Sequence, residues 1–137
     1  MHPFVIQHID HIVLRVADLQ RSIEFYGQVF GAEVVKINEP LGLVHLRAGT
    51  SMIDLVDLHG ELGRKGGGAA GAERRNVDHF CLRIEPFDEA ALIEHLQAHG
   101  LSVEKAARRF GAQGYGLSVY CFDPDGNQVE LKGLSEV

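Results

Sequence analysis

The chain has 137 residues, enough for one compact domain with a buried core. Hydrophobic residues make up 45% and charged residues 23%, with mean hydropathy near zero, which excludes the disordered and fibrous classes. Thirteen Lys and Arg against nineteen Asp and Glu give a net charge of −6, a balance that repels phosphate backbones and anionic lipid, so neither nucleic acid nor a membrane is expected as a partner. No apolar run reaches the ~18–20 residues of a membrane span, and the first residues hold no basic segment followed by an apolar one, so a cytoplasmic location is expected. Cys81 and Cys121 lie far apart without a Cys-x-x-Cys spacing and read as reduced thiols.

Taken in order, the elements repeat. Residues 9–16 read Ile-Asp-His-Ile-Val-Leu-Arg-Val and residues 77–84 read Val-Asp-His-Phe-Cys-Leu-Arg-Ile, so Asp10, His11, Leu14 and Arg15 map onto Asp78, His79, Leu82 and Arg83. Asp18 is positioned to cap a helix whose apolar residues Ile23, Tyr26, Val29 and Phe30 fall at helical spacing before Gly31. Strand-like runs follow at 33–37, 41–47 and 51–58. A segment rich in glycine (Gly60, Gly63, Gly66, Gly67, Gly68 and Gly71) reads as a flexible linker over 60–75. It lacks the Gly-Lys-Ser/Thr ending of a phosphate loop. In the second half Asp88 caps a helix ending at Gly100, and strand-like runs follow at 102–106, 116–122 and 127–132. Asp123-Pro124-Asp125-Gly126 is suited to a type I turn that sets where the last strand begins. The chain therefore reads as one α+β domain of two tandem β-α-β-β-β modules, 5–59 and 76–133.

Alternation sorts each strand into two faces. Ile12, Leu14 and Val16 share the face expected against the first helix, leaving His11, Val13 and Arg15 opposite. Phe80, Leu82 and Ile84 repeat that pattern, leaving His79, Cys81 and Arg83. In the last strand Val129 and Leu131 turn inward and Glu130 joins the histidine face, flanked by Gln128 and Lys132. Asp54 takes the corresponding place in the first module. Two histidines and two carboxylates at repeat-related places form a mixed nitrogen and oxygen donor set suited to a divalent metal.

The pattern Asp-His-x-x-Leu-Arg-Val-x-Asp-Leu-x-x-Ser-Ile-x-Phe-Tyr at 10–26, the second His strand at 77–84 and Asp-Pro-Asp-Gly-Asn-x-x-Glu at 123–130 resemble the vicinal oxygen chelate superfamily. This is the group of glyoxalase I, fosfomycin-resistance thiol transferases, ring-cleaving dioxygenases and bleomycin-binding proteins. The resemblance covers nearly the whole chain. It implies paired β-α-β-β-β modules forming a cupped mixed sheet, usually in a homodimer, with a divalent metal (Ni, Co, Zn, Mn or Fe) in the cup. His11, His79 and Glu130 match the shared ligands, and Asp54 stands where glyoxalase I has a further carboxylate. The dimer it implies would combine His11 and Asp54 of one chain with His79 and Glu130 of the other.

Residues 11–26 look particularly like bacterial glyoxalase I. In that enzyme a hemithioacetal of methylglyoxal and glutathione loses a carbon-bound proton, and the metal holds the enediolate oxygens. The resemblance makes Glu130 or Asp54 the base and lets Arg15 meet a glutathione carboxylate. Two positions depart from it: Asp54 is one methylene shorter than Glu, and Leu58 stands where an Asn for glutathione is expected. Without Asp54, the two-His-one-carboxylate set suits Fe(II) oxygen chemistry or Mn(II) activation of an epoxide for thiol attack. Ser118 and Tyr120 precede the Asp-Pro-Asp-Gly turn much as Ser and Tyr do in the thiol transferases. A sequestering binder without metal is the reading of another class. Arg83 and His45 could line the cup or be surface strand residues, and Cys81 could be a soft ligand or nucleophile or an ordinary small thiol. His95 and His99 read as helix surface, and His2, His8 and His59 show no partner pattern.

Overall fold

A computed structural model describes residues 2–134. The chain divides between Ala69 and Ala70 into two compact units. In the first, β1 (His11–Val16), α1 (Leu19–Phe30), β2 (Glu33–Asn38), β3 (Leu43–Ala48) and β4 (Ser51–Asp57) follow in order. The sheet order is β1-β4-β3-β2, with β1 parallel to β4 and the other pairs antiparallel. Helix α1 forms because Asp18 accepts the Arg21 backbone N–H at 3.1 Å, and it stops because Gly31 turns left-handed at φ 73°. Its buried stripe of Ser22, Tyr26 and Val29 lies on the side of the sheet that also buries Leu14, Val16, Ile53 and Leu55. Each of these aliphatic side chains contributes roughly 1.5–3 kcal/mol by leaving water.

The second unit repeats the plan with β5 (His79–Arg83), α2 (Glu89–Ala98), β6 (Ala107–Gly111), β7 (Gly114–Phe122) and β8 (Gln128–Lys132). Its sheet order is β5-β8-β7-β6, again with the first and last strands parallel. Asp88 caps α2 by accepting from Ala91 N–H at 3.1 Å, and Leu96, Val119, Cys121, Val129 and Leu131 form the core. The turn at 123–126 is tied by Asp123, whose carboxylate accepts the backbone N–H groups of Asp125 and Asn127 and the Asn127 side-chain amide at 2.8–2.9 Å. Asn76 in turn donates to Asn127 Oδ1 at 3.1 Å, holding the approach to β5 against the start of β8.

Two expectations need correction. The stretch expected as a strand at 102–106 lies outside the sheet, and the strand is at Ala107–Gly111 instead. The hairpin register decides this: Gly111 pairs with Gly114 around the two-residue turn Ala112-Gln113, and the Ala106 N–H goes to Glu89 Oε1 at 2.8 Å rather than to a ladder. Arg108 and Arg109 hid that strand from a reading based on apolar alternation. The segment at 60–75 is also more built than a flexible linker. It contains a short 3-10 helix at Gly63–Gly66, and the Arg15 guanidinium donates to the carbonyls of Gly63, Gly67 and Gly68. Glycine is required at 63 because a Cβ there would stand 1.9 Å from the Asp57 carbonyl oxygen. Strand ends shift by one or two residues elsewhere: β3 starts at Leu43 because Glu39–Gly42 closes a turn with Gly42 at φ 66°. Among the described residues, no helix is long and apolar enough to cross a membrane.

Candidate metal centre

The parallel pairing of first and last strands places the same chemistry in each unit. In unit one, His11 faces Met52 and Val13 faces Asp54 across β1 and β4; in unit two, His79 faces Gln128 and Cys81 faces Glu130 across β5 and β8. His and carboxylate thus stand at one diagonal step in both sheets, on the face opposite the apolar side chains. The middle strands add a third group directly beside each carboxylate, His45 on β3 opposite Asp54 and Tyr120 on β7 opposite Glu130.

Each histidine is oriented from behind. His11 Nδ1 lies 2.8 Å from Asp10 Oδ2, and His79 Nδ1 lies 2.6 Å from Asp78 Oδ2. A carboxylate can only accept, so Nδ1 carries the hydrogen in both rings and Nε2 is turned the other way. His79 Nε2 sits 3.3 Å from Glu130 Oε1, and His11 Nε2 sits 4.0 Å from Asp54 Oδ2. The other Asp54 oxygen accepts from His45 Nδ1 at 2.8 Å. Both carboxylates are buried, with side chains 6% and 7% exposed.

This donor chemistry fits a divalent ion. An imidazole Nε2 whose Nδ1–H is held by a carboxylate, next to a buried carboxylate oxygen, is how protein ligands to zinc, nickel or iron are commonly presented. Each unit supplies one such pair, and among the described residues no group of three or more His, Cys, Asp or Glu side chains is gathered into a complete cage. The same geometry shows in the titration behaviour. His11 holds its proton above the ordinary histidine range, first through the Asp10 hydrogen bond and then through the charge on Asp54. Asp10 is correspondingly more acidic than usual, chiefly because of that hydrogen bond. The Tyr120 hydroxyl is pushed up by burial and by the Glu130 charge, and the Cys81 thiol is pushed to about 11 for the same two reasons.

The remaining candidates divide. Tyr120 lies beside the pair, its ring edge-on to His79 with centroids 5.6 Å apart and the Arg109 guanidinium 4.4 Å above it. Ser118 is fully buried and its hydroxyl accepts from Arg109 Nη1 at 2.9 Å, a contact to the protein's own arginine. Arg15, the candidate for a glutathione carboxylate, spends its guanidinium on the glycine carbonyls at 63–68. Arg83 reaches Gln113 Oε1 at the rim of a cavity in the second unit. Sequence reasoning gave no role to Asp10 or Asp78, although both recur immediately before the histidines. It left His45 without a partner, because only the register of β3 against β4 reveals that it faces Asp54.

Residues 8–131 match the family model of the Glyoxalase/Bleomycin resistance protein/Dioxygenase superfamily. The chain belongs to that superfamily. It is 32% identical over 127 residues to the virulence protein STM3117 of Salmonella typhimurium, covering 93% of this chain and 84% of that one. It is 32% identical over 131 residues to a lactoylglutathione lyase of Escherichia coli O157:H7, covering 88% of each. Among solved structures, an integron cassette protein from the mobile metagenome of V. cholerae superposes with a TM-score of 0.78 at 31% identity, covering 98% of this chain and all of that one. The paired four-stranded mixed sheets, each with one helix, are the architecture these superfamily neighbours share.

Proposed function

We propose that the protein is a divalent-metal-dependent enzyme of lactoylglutathione lyase type, isomerising a small hemithioacetal by moving a proton between adjacent carbons. The observation that carries this reading is the repeated pair: an Asp-oriented histidine Nε2 facing a buried carboxylate at equivalent register in both units. His11, His79, Glu130 and Asp54 would hold the ion, the two pairs coming together in a homodimer as the superfamily resemblance implies. A bound divalent ion would polarise two adjacent substrate oxygens and lower the cost of negative charge developing on them. Glu130 takes the carbon-bound proton and returns it to the neighbouring carbon, from a side chain only 7% exposed beside Tyr120. Asp78 holds His79 by its Nδ1–H, leaving Nε2 as the ring atom turned toward Glu130.

One observation favours a second reading. His45 holds Asp54 Oδ1 at 2.8 Å while Asp54 Oδ2 remains 4.0 Å from His11 Nε2, so Asp54 is anchored away from the histidine it would share an ion with. A three-ligand set of His11, His79 and Glu130 would then favour thiol addition or Fe(II) oxygen chemistry. The test is S-lactoylglutathione formation from methylglyoxal and glutathione with nickel, cobalt or zinc supplied in turn. Turnover with one of these metals, abolished in Glu130→Gln, is the expected result. No turnover with any of them sinks the isomerase reading, and oxygen uptake with Fe(II) and a catechol would put a dioxygenase in its place.

A further inference from the structure

Lysine is almost never buried without a partner, because a desolvated ammonium is costly. Lys132, at the end of β8, is only 6% exposed, and among the described residues its ammonium makes no hydrogen bond or ion pair. Its stem lies on a track made by two missing side chains. A Cβ at Gly111 would stand 2.9 Å from Lys132 Cε, and one at Gly116 would stand 3.0 Å from Nζ. Two glycines on β6 and β7 thus let an extended lysine cross the sheet face. It opens on a cavity of about 280 Å³ lined by His79, Cys81, Arg83, Gln113, Glu130 and Lys132 among others. Arg83 is the register partner of Lys132 across β5 and β8, and its guanidinium is steadied by Gln113.

The cavity is therefore charged in two zones. His79 and Glu130 occupy one, and Arg83 and Lys132 the other, displaced along the strands by roughly 7 Å from Glu130 to Lys132 and roughly 13 Å from His79 to Arg83. The first unit does not repeat this. Val56 stands at the register place of Lys132, opposite Arg15, and Arg15 is turned to the glycine carbonyls. The cationic zone is thus a departure of the second repeat and not a consequence of the fold.

We propose that Lys132 and Arg83 form an oxyanion-binding subsite, and that the protein's substrate carries a carboxylate or phosphoryl group a few bonds from the oxygens presented to His79 and Glu130. The subsite stands on the second unit alone; its assignment to the substrate rests on the metal-enzyme reading. An oxyanion there satisfies the buried ammonium and takes the guanidinium in paired hydrogen bonds, which supplies the partner the chain withholds. The anionic tail then fixes which carbon faces Glu130.

The test uses the ¹⁵N-labelled, metal-free full chain, titrated with acetate and, separately, with inorganic phosphate at constant ionic strength set with sodium chloride. Saturable shifts at the amides of Cys81 and residues 111–113 are expected with one or both anions, and which anion binds more tightly separates a carboxylate from a phosphoryl source. Lys132→Met and Arg83→Gln should each weaken the midpoint about tenfold or more, the loss expected for a hydrogen bond to a charged group. No saturable shift with either anion overturns the proposal. So does an unchanged midpoint in Arg83→Gln, a rim substitution that tests it even where Lys132→Met does not fold. Nickel titration of the same proteins keeps the two readings apart: a chain that binds the anion and no metal removes the enzyme reading and leaves the subsite standing.

Discussion

Removing Asp10 and Asp78 tests whether the histidines are ligands positioned by their neighbours. Each carboxylate takes the Nδ1–H of the next residue, at 2.8 Å for His11 and 2.6 Å for His79, and so aims Nε2 into the site. Loss of such an orienting partner typically costs 10–100-fold in metal affinity. Here the carboxylates are largely solvated, their side chains 80% and 87% exposed, so water screens them and the effect should fall near the lower end, about tenfold for Asp10→Ala and for Asp78→Ala. The two contacts lie in separate units and act on the ion through different histidines, and with additive losses the double variant should lose about a hundredfold. Asn at either position keeps an acceptor and loses the charge, and should fall between. The assay is competition for nickel against a chelating indicator at fixed pH. Wild-type affinity in both alanine variants, beside lost binding in His11→Ala and His79→Ala, would refute the orienting role.

Three further outcomes follow from the geometry. With Cys81 pushed up to about 11 and Cys121 to about 12, both thiols should react slowly with a disulfide reagent at pH 8, and Glu130→Gln should speed Cys81 while leaving Cys121 unchanged. NMR titration should find His11 above its ordinary 6.5, falling in Asp10→Asn. Because its folded value is raised, the stabilisation from its charged form is complete below pH 6.5 and is lost as pH rises through the folded value; metal affinity runs the other way, weakening as the proton reclaims Nε2. Gly63→Ala should cost about 1–3 kcal/mol in urea denaturation, since its Cβ meets the Asp57 backbone, whereas Gly68→Ala, with open space at its Cβ, should stay within about 0.5 kcal/mol.

The repeat carried most of the architecture into view, because Asp-His-x-x-Leu-Arg marks the first strand of each unit and Asp18, Gly31 and Asp88 are local signals for helix ends. Strand parity sufficed to put His11, Asp54, His79 and Glu130 on the face away from the core, since alternation is a property of one strand. What lay between strands was not legible. That His45 meets Asp54, that Arg15 turns to the glycine carbonyls and that Lys132 crosses Gly111 and Gly116 depend on register and on loop path. The strand at Ala107–Gly111 escaped for the same reason, its place being set by pairing with β7 and not by its own two arginines.

The central claim, that the two His–carboxylate pairs are halves of a metal site, is tested most directly by elemental analysis after nickel reconstitution and gel filtration. The wild type should retain one nickel per pair of half-sites, and His11→Ala and His79→Ala should each retain none, since neither half suffices alone. Stoichiometric nickel in either variant, or none in the wild type, would contradict it.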